Sequence, residues 1–108
     1  MDNFKIIYRI LKYLEQSMDC EMPDFEFISA ARLNISNERW ERLLFMLADS
    51  RYIEGVTFVQ GVGDTRPMLC KPVAPRITLK GLEYLAENSL MQKAYNLMKG
   101  IKDITPGM

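Results

Sequence analysis

The spacing of apolar residues changes in character once along the chain, at Ser50, and this change restricts the folds available to it. Before Ser50 the apolar residues recur three and four positions apart, which is typical of amphipathic helices. Directly after it, residues 52–59 are mainly β-branched and aromatic, which favours a strand. A chain of 108 residues is long enough for one domain and not for two. We therefore predict a single, mostly helical α+β domain over residues 1–100, followed by a frayed tail over residues 101–108.

The first helix is predicted over residues 3–18 and has two apolar stripes. One stripe follows helical spacing and consists of Phe4, Ile7, Leu11, Leu14 and Met18. The second stripe lies beside it and consists of Ile6, Ile10 and Tyr13. A helix that packs on one side needs only one such stripe. We therefore expect this helix to be covered on two sides, either by the C-terminal segment of the same chain or by a second subunit.

A helix-turn-helix pattern follows the first helix. A short helix is predicted over residues 24–32, with Asp24 as its cap. Its expected inward residues are Phe27, Ile28 and Ala31. Asn34 lies in the turn that follows and can adopt the left-handed conformation. Ser36 then caps a longer helix over residues 37–50. The expected core residues of that helix are Trp40, Leu43, Leu44 and Leu47. Two helices joined by such a short turn are typical of a helix-turn-helix.

The second half of the chain predicts a β-hairpin and two further helices. Residues 61–64 contain two glycines and form the turn, and three prolines limit the return strand to short pieces at 68–71 and 76–79. Thr78 is the expected cap of the next helix, in which Leu79, Leu82 and Leu85 are apolar. A last helix is predicted over residues 89–99.

Two stretches of this half resemble winged-helix proteins. The stretch LADSRYIEGV at residues 47–56 is similar to their junction between the recognition helix and the first wing strand, and ITLKGLEYL at residues 77–85 is similar to their exit from the wing. With its length and tail, the whole chain resembles the YjcQ-like family of small bacterial and phage proteins. The resemblance implies a winged helix, made of a helix-turn-helix core and a β-hairpin wing with an extra C-terminal helix, and a family without a defined activity. Gly55 then marks a bulge or a close backbone approach, and Gly81 a place where a side chain would meet the preceding strand.

The composition argues against several classes of function. The chain has no histidine, which removes the Ser-His and Cys-His nucleophile pairs and the commonest metal ligand. Cys20 and Cys70 are too few for a metal site and indicate reduced thiols. The longest strictly apolar run, at residues 43–48, is six residues and too short to cross a bilayer, and no secretory signal is apparent. We therefore expect a cytoplasmic protein that is not an enzyme, has no metal or cofactor and does not enter a membrane.

Positive charge is concentrated in the middle of the chain, although the formal net charge is zero. Residues 1–50 carry six cations and nine anions, whereas residues 51–80 carry five cations and two anions. For a winged helix that binds DNA, the candidates for the major groove are Ser36, Asn37, Arg39 and Arg42. The candidates for phosphate contacts around the wing are Arg66, Lys71, Arg76 and Lys80. The alternative, favoured for the helix itself, is that Glu38 pairs with Arg42 on a solvated face. The alternative for the wing is that its cations discourage edge-to-edge pairing of the hairpin.

A symmetric homodimer built from both terminal helices is the expected assembly. Its candidate interface residues are Ile6, Ile10, Tyr13, Met91, Ala94, Tyr95 and Met98. The alternative is that these apolar faces pack against each other within one chain.

Two functions are compatible with the pattern. The first is binding of double-stranded DNA by a small transcriptional regulator, of the phage or mobile-element type by resemblance. The second is a protein-interaction module that binds a partner through the acidic first half.

Overall fold

The computed structural model of the protein describes residues 2–71, 73–88 and 97. The helices are α1 (Asn3–Gln16), α2 (Ala30–Leu33), α3 (Asn37–Asp49) and α4 (Leu79–Glu87). The strands are β1 (Ile53–Glu54), β2 (Phe58–Val59), β3 (Met68–Leu69) and β4 (Arg76–Ile77). The predicted α+β class is confirmed, and the order of elements is winged-helix-like. The predicted helix 89–99, apart from Leu97, and the predicted tail 101–108 lie outside the described residues.

Helix α1 is the centre of the hydrophobic core. The Asp2 carboxylate caps it by accepting a hydrogen bond from the amide of Phe4 at 2.9 Å. Its buried residues are Ile6, Tyr8, Ile10, Leu11 and Leu14. After Gln16 the chain continues as a 3₁₀ helix (Ser17–Asp19), whose tighter winding moves Met18 off the apolar stripe. Met18 is therefore exposed, although it was expected in the stripe. Phe4, in the first turn of α1, was also expected in the stripe and is exposed as well.

The second apolar stripe of α1 is covered by the chain itself. Helix α1 contacts α4, β4 and the 3₁₀ helix at residues 25–28. Ile6 and Ile10 have no exposed surface as a result. The prediction that these two residues lie in a dimer interface is therefore wrong, because no part of either side chain is left to contact a second subunit. The expectation that α1 is covered on two sides fits this packing.

The helix-turn-helix begins with two short helices in place of the one predicted over residues 24–32. Asp24 caps a 3₁₀ helix (Phe25–Ile28) by accepting from the amide of Glu26 at 3.0 Å. Ser29 then adopts an extended conformation and caps α2 by accepting from the amide of Arg32 at 3.3 Å. A second capping residue in the middle of the segment therefore divides it. Asn34 ends α2 in the left-handed conformation with φ of 60°, as predicted.

Helix α3 is fixed against this region by its cap and by Trp40. The Ser36 hydroxyl accepts from the amide of Arg39 at 3.1 Å, as predicted for a cap. The indole N–H of Trp40 donates to the carbonyl of Ile28 at 2.8 Å, and this half-buried ring connects α3 to the 3₁₀ helix that precedes α2. Phe27 was expected to point inward but is exposed. Its ring packs beside Tyr13 and under the Arg32 guanidinium, which lies 4.7 Å from the ring centroid.

The wing consists of two separate two-residue antiparallel ladders. Strands β1 and β4 pair Ile53 with Ile77 at the base, and β2 and β3 pair Phe58 with Leu69 further out. The predicted continuous strand 52–59 is interrupted by Gly55, whose φ of +85° is unfavourable for other residues. A Cβ at Gly55 would lie 2.6 Å from the carbonyl oxygen of Ala74. Gly55 is therefore a close backbone approach, one of the two predicted alternatives.

Helix α4 closes the base of the wing. The Thr78 hydroxyl accepts from the amide of Gly81 at 3.1 Å, as predicted, and donates to the carbonyl of Arg51 at 2.6 Å. Leu79 is apolar but 73% exposed, because it lies on the side of α4 opposite the buried Gly81 and Leu85. Tyr84 packs beside Tyr52, with ring centroids 5.3 Å apart. Burial, together with the neighbouring Tyr52 and Asp2 charges, raises the pKa of the Tyr84 phenol. Within the described part of the chain, no helix has the length and apolarity needed to span a membrane.

Candidate nucleic-acid interface

The exposed face of α3 carries the first group of candidate residues, and most of their polar groups are already engaged. The Ser36 hydroxyl is the helix cap. The Asn37 amide nitrogen donates to a carboxylate oxygen of Glu41 at 3.0 Å, one turn further along. The predicted pair between Glu38 and Arg42 is not formed, and neither residue has another polar partner among the residues that the structure describes. The alternative of a salt-bridged, solvated face is therefore wrong for this pair.

Arg39 is held in place by the first turn of α1. Its guanidinium Nη1 donates to the side-chain oxygen of Asn3 at 3.2 Å. Asn3 is available because Asp2, and not Asn3, caps α1. The contact joins residues 36 positions apart in the chain, and no local sequence pattern signals it.

Arg66 comes from the loop between β2 and β3 and joins the arginines of α3. We call the resulting cavity the arginine recess. It has a volume of about 350 Å³ and is lined by Asn3, Glu38, Arg39, Arg42, Leu43, Met46 and Arg66. Three guanidinium groups and one carboxylate therefore line it. Among the described residues, none of the three arginines forms a salt bridge. Such a cluster of unneutralised guanidinium groups favours binding of phosphate oxygens.

The other wing cations do not join this cluster. Arg76 lies 3.5 Å from the Glu54 carboxylate, directly across the β1–β4 ladder. Lys80 lies over the ring of Tyr52, with its ammonium 5.7 Å from the centroid. Lys71 lines a different groove, together with Glu26 and Trp40. Of the four predicted wing cations, Arg66 alone faces α3. Arg76, Lys80 and Lys71 each have different neighbours and do not form one cluster with it.

A second depression adjoins the arginine recess and is mainly apolar. This apolar groove has a volume of about 330 Å³ and is lined by Glu41, Arg42, Phe45, Met46, Arg66 and Pro67. Met46 is 51% exposed there, and the Phe45 ring meets Phe58 of the wing edge-on at 5.1 Å. One carboxylate oxygen of Glu41 is buried without a hydrogen-bond partner.

The remaining candidate residues lie elsewhere or outside the described residues. Tyr13 is half-buried, and its hydroxyl donates to the carbonyl of Asp24 at 2.6 Å. The other predicted interface residues, Met91, Ala94, Tyr95 and Met98, lie outside the described residues. Cys20 is exposed and Cys70 half-buried, and both are free thiols. In the described ranges, no three histidine, cysteine or acidic side chains converge as metal ligands would.

Comparison with known proteins places the chain in a family. The family model described as YjcQ protein matches residues 8–104. The chain is also similar to the "Uncharacterized protein YjcQ" of Bacillus subtilis (strain 168), with 32% identity over 103 residues that cover 95% of this chain and 97% of the relative. No solved structure shows significant similarity to the chain. Since both matches extend over nearly the whole sequence, the chain belongs to the YjcQ family.

Proposed function

We propose that the protein binds double-stranded DNA through the arginine recess, with α3 in the major groove and Arg66 on the phosphate backbone. The observation that carries this proposal is the convergence of Arg39, Arg42 and Arg66 with no salt-bridge partner among the described residues. An unpaired guanidinium group keeps its full charge for phosphate oxygens, and release of counterions from DNA then supplies affinity. A role as a small transcriptional regulator, of the phage or mobile-element type, is part of this proposal.

The position of the recess on α3 also supports the proposal. In helix-turn-helix proteins, the first half of the second helix contacts base edges. Arg39 and Arg42 lie in the first half of α3, and the Asn3 contact restricts the guanidinium of Arg39. A side chain that is already restricted loses less conformational entropy when it binds.

The first prediction concerns the double variant Arg42→Gln/Arg66→Gln. We expect it to bind a labelled duplex of arbitrary sequence roughly tenfold more weakly, because it loses the phosphate contact of Arg66 and the positive charge of Arg42 in the major groove. The slope of log affinity against log salt concentration should fall by about one unit, at roughly 0.9 for the lost phosphate contact. Fluorescence anisotropy at several potassium chloride concentrations measures both quantities.

The matched control is Lys5→Gln/Arg9→Gln, which removes from α1 two cations that, like the recess arginines, form no salt bridge with a described residue, and leaves the residues that line the recess in place. It should retain nearly the affinity and salt slope of the unmodified protein. Equal losses in the two double variants would indicate a general effect of charge. No binding of duplex DNA by the unmodified protein at low salt would contradict the proposal itself.

A second candidate function is docking of a protein partner at the apolar groove. The observation that favours it is the half-exposed Met46 between Phe45 and Pro67, because a large exposed apolar side chain in a groove is typical of protein interfaces. The acidic first half of the chain would then attract a basic partner. The DNA titration separates the two candidates, since the docking function predicts no salt-dependent duplex binding.

A homodimer remains part of the proposal, without Ile6 and Ile10 in its interface. Phe4 on α1 and Leu97 in the C-terminal segment are exposed apolar side chains that a second subunit could cover. We expect light scattering to give twice the mass of one chain, and Tyr95→Glu to give the mass of one chain. A monomeric unmodified protein at micromolar concentration would contradict the dimer and leave the DNA proposal intact.

A further inference from the structure

The polar side chains on the exposed face of α3 differ in whether they are free to contact a base. Ser36 caps the helix, the Asn37 amide nitrogen is bound to Glu41, and Arg39 is bound to Asn3. Glu38 and Arg42 have no hydrogen-bond or ion-pair partner in the described chain, and both are exposed. Glu38 and Arg42 are therefore the two side chains in the first half of α3 whose polar groups are wholly unengaged by the described residues. One is a carboxylate, which only accepts hydrogen bonds, and the other is a guanidinium, which only donates them.

The hydrogen-bonding groups of Glu38 and Arg42 match those of particular bases. In the major groove guanine presents two acceptors, which suit an arginine, and cytosine presents an amino donor, which suits a carboxylate. Adenine presents a donor and an acceptor together and is best read by an amide side chain. Asn37 carries the sole amide side chain of α3, and one of its two N–H donors is bound to Glu41. Contact between this amide and adenine therefore competes with the Glu41 bond, whereas Glu38 and Arg42 have no bond to a described residue to give up.

We propose that Glu38 and Arg42 make this protein select G·C base pairs, with Arg42 on guanine and Glu38 on cytosine. The inference rests on the proposed DNA-binding function and adds its specificity. The two residues lie one helical turn apart, so their side chains start about 5–6 Å from each other. Base pairs are stacked about 3.4 Å apart, so the two contacts fall on different pairs, about one or two steps apart.

A carboxylate near DNA could instead act only by repelling phosphates. The two roles of Glu38 give different results when its charge is removed. If Glu38 only repels phosphates, Glu38→Gln tightens binding to all sequences by the same factor. If Glu38 reads cytosine, the same variant loses the preference for cytosine at one position and retains the preference for guanine at the other.

The experiment is selection of duplexes from a randomised library, followed by anisotropy titration of the best duplex and of its single-pair variants. We expect the unmodified protein to prefer C and G at two positions within about two steps, by roughly fivefold or more at each. Glu38→Gln should abolish the cytosine preference alone. Arg42→Lys should abolish the guanine preference while it keeps the salt slope, because lysine retains the charge but not the bidentate geometry.

The control is Glu83→Gln, which removes one negative charge from the exposed side of α4 and should leave both preferences unchanged. Binding with no base preference, or a cytosine preference that Glu38→Gln leaves intact, would overturn this inference and leave the proposed function standing. No duplex binding by the unmodified protein would overturn the proposed function, and the specificity with it.

Discussion

Replacing Gly81 with alanine is expected to lower the free energy of unfolding by about 3 kcal/mol, at the upper end of the usual cost of overpacking. A Cβ at this position would lie 2.5 Å from the carbonyl oxygen of Tyr52 and 2.7 Å from Cγ1 of Ile77. The carbonyl belongs to the backbone and accepts the amide of Thr78 at 3.1 Å, so it cannot move without disturbing the base of the wing. Helix α4 would have to separate from β1 and β4.

Urea unfolding followed by circular dichroism measures this loss. Gly61→Ala is the matched control, because its new Cβ would lie 3.3 Å from a carboxylate oxygen of Asp64, which belongs to a side chain and can move. The control should change the free energy of unfolding by no more than about 0.5 kcal/mol. Equal stabilities for Gly81→Ala and the unmodified protein would show that α4 does not pack against the wing at this distance.

Replacing Leu33 with alanine is expected to cost about 3 kcal/mol of folding free energy, within the range for fully buried leucines. Leu33 has no exposed surface and is the last residue of α2, directly before the left-handed Asn34. The loss combines the apolar contacts of the removed atoms with the cavity left behind. Since the short α2 has Leu33 as its one buried residue, little else anchors the first helix of the helix-turn-helix.

The same substitution at an exposed leucine provides the control. Leu79→Ala removes the same atoms from a side chain that is 73% exposed, and alanine suits the first turn of α4 equally well. We expect a change of no more than about 0.5 kcal/mol. A similar loss in both variants, measured by urea unfolding with unchanged slope, would contradict the burial of Leu33.

Features that depend on residues close together in the sequence could be predicted. The caps at Asp24, Ser36 and Thr78 are confirmed, as is the left-handed Asn34. Each depends on hydrogen bonds that reach two or three residues along the chain. The same reasoning missed the cap at Ser29, because a serine inside an apolar pattern is equally compatible with a helix interior.

Features that depend on contacts between residues far apart in the sequence could not be predicted. Arg66 and Arg76 are both wing cations in the sequence, yet one faces α3 and the other lies beside Glu54. The difference arises from strand register and from the path of the loop, neither of which the residue types determine. The dimer prediction for Ile6 failed for a related reason, because an apolar stripe does not indicate whether its partner belongs to the same chain.

The arginine recess takes its lining from three separate stretches of the chain, which are the start of α1, helix α3 and the loop before β3. An unfolded chain does not bring these stretches together, so a polyanion that binds there binds the native state alone. By thermodynamic linkage, such a ligand raises the melting temperature as its free concentration rises above its dissociation constant. Protease resistance would increase in parallel, because cleavage of a small domain requires that it open first.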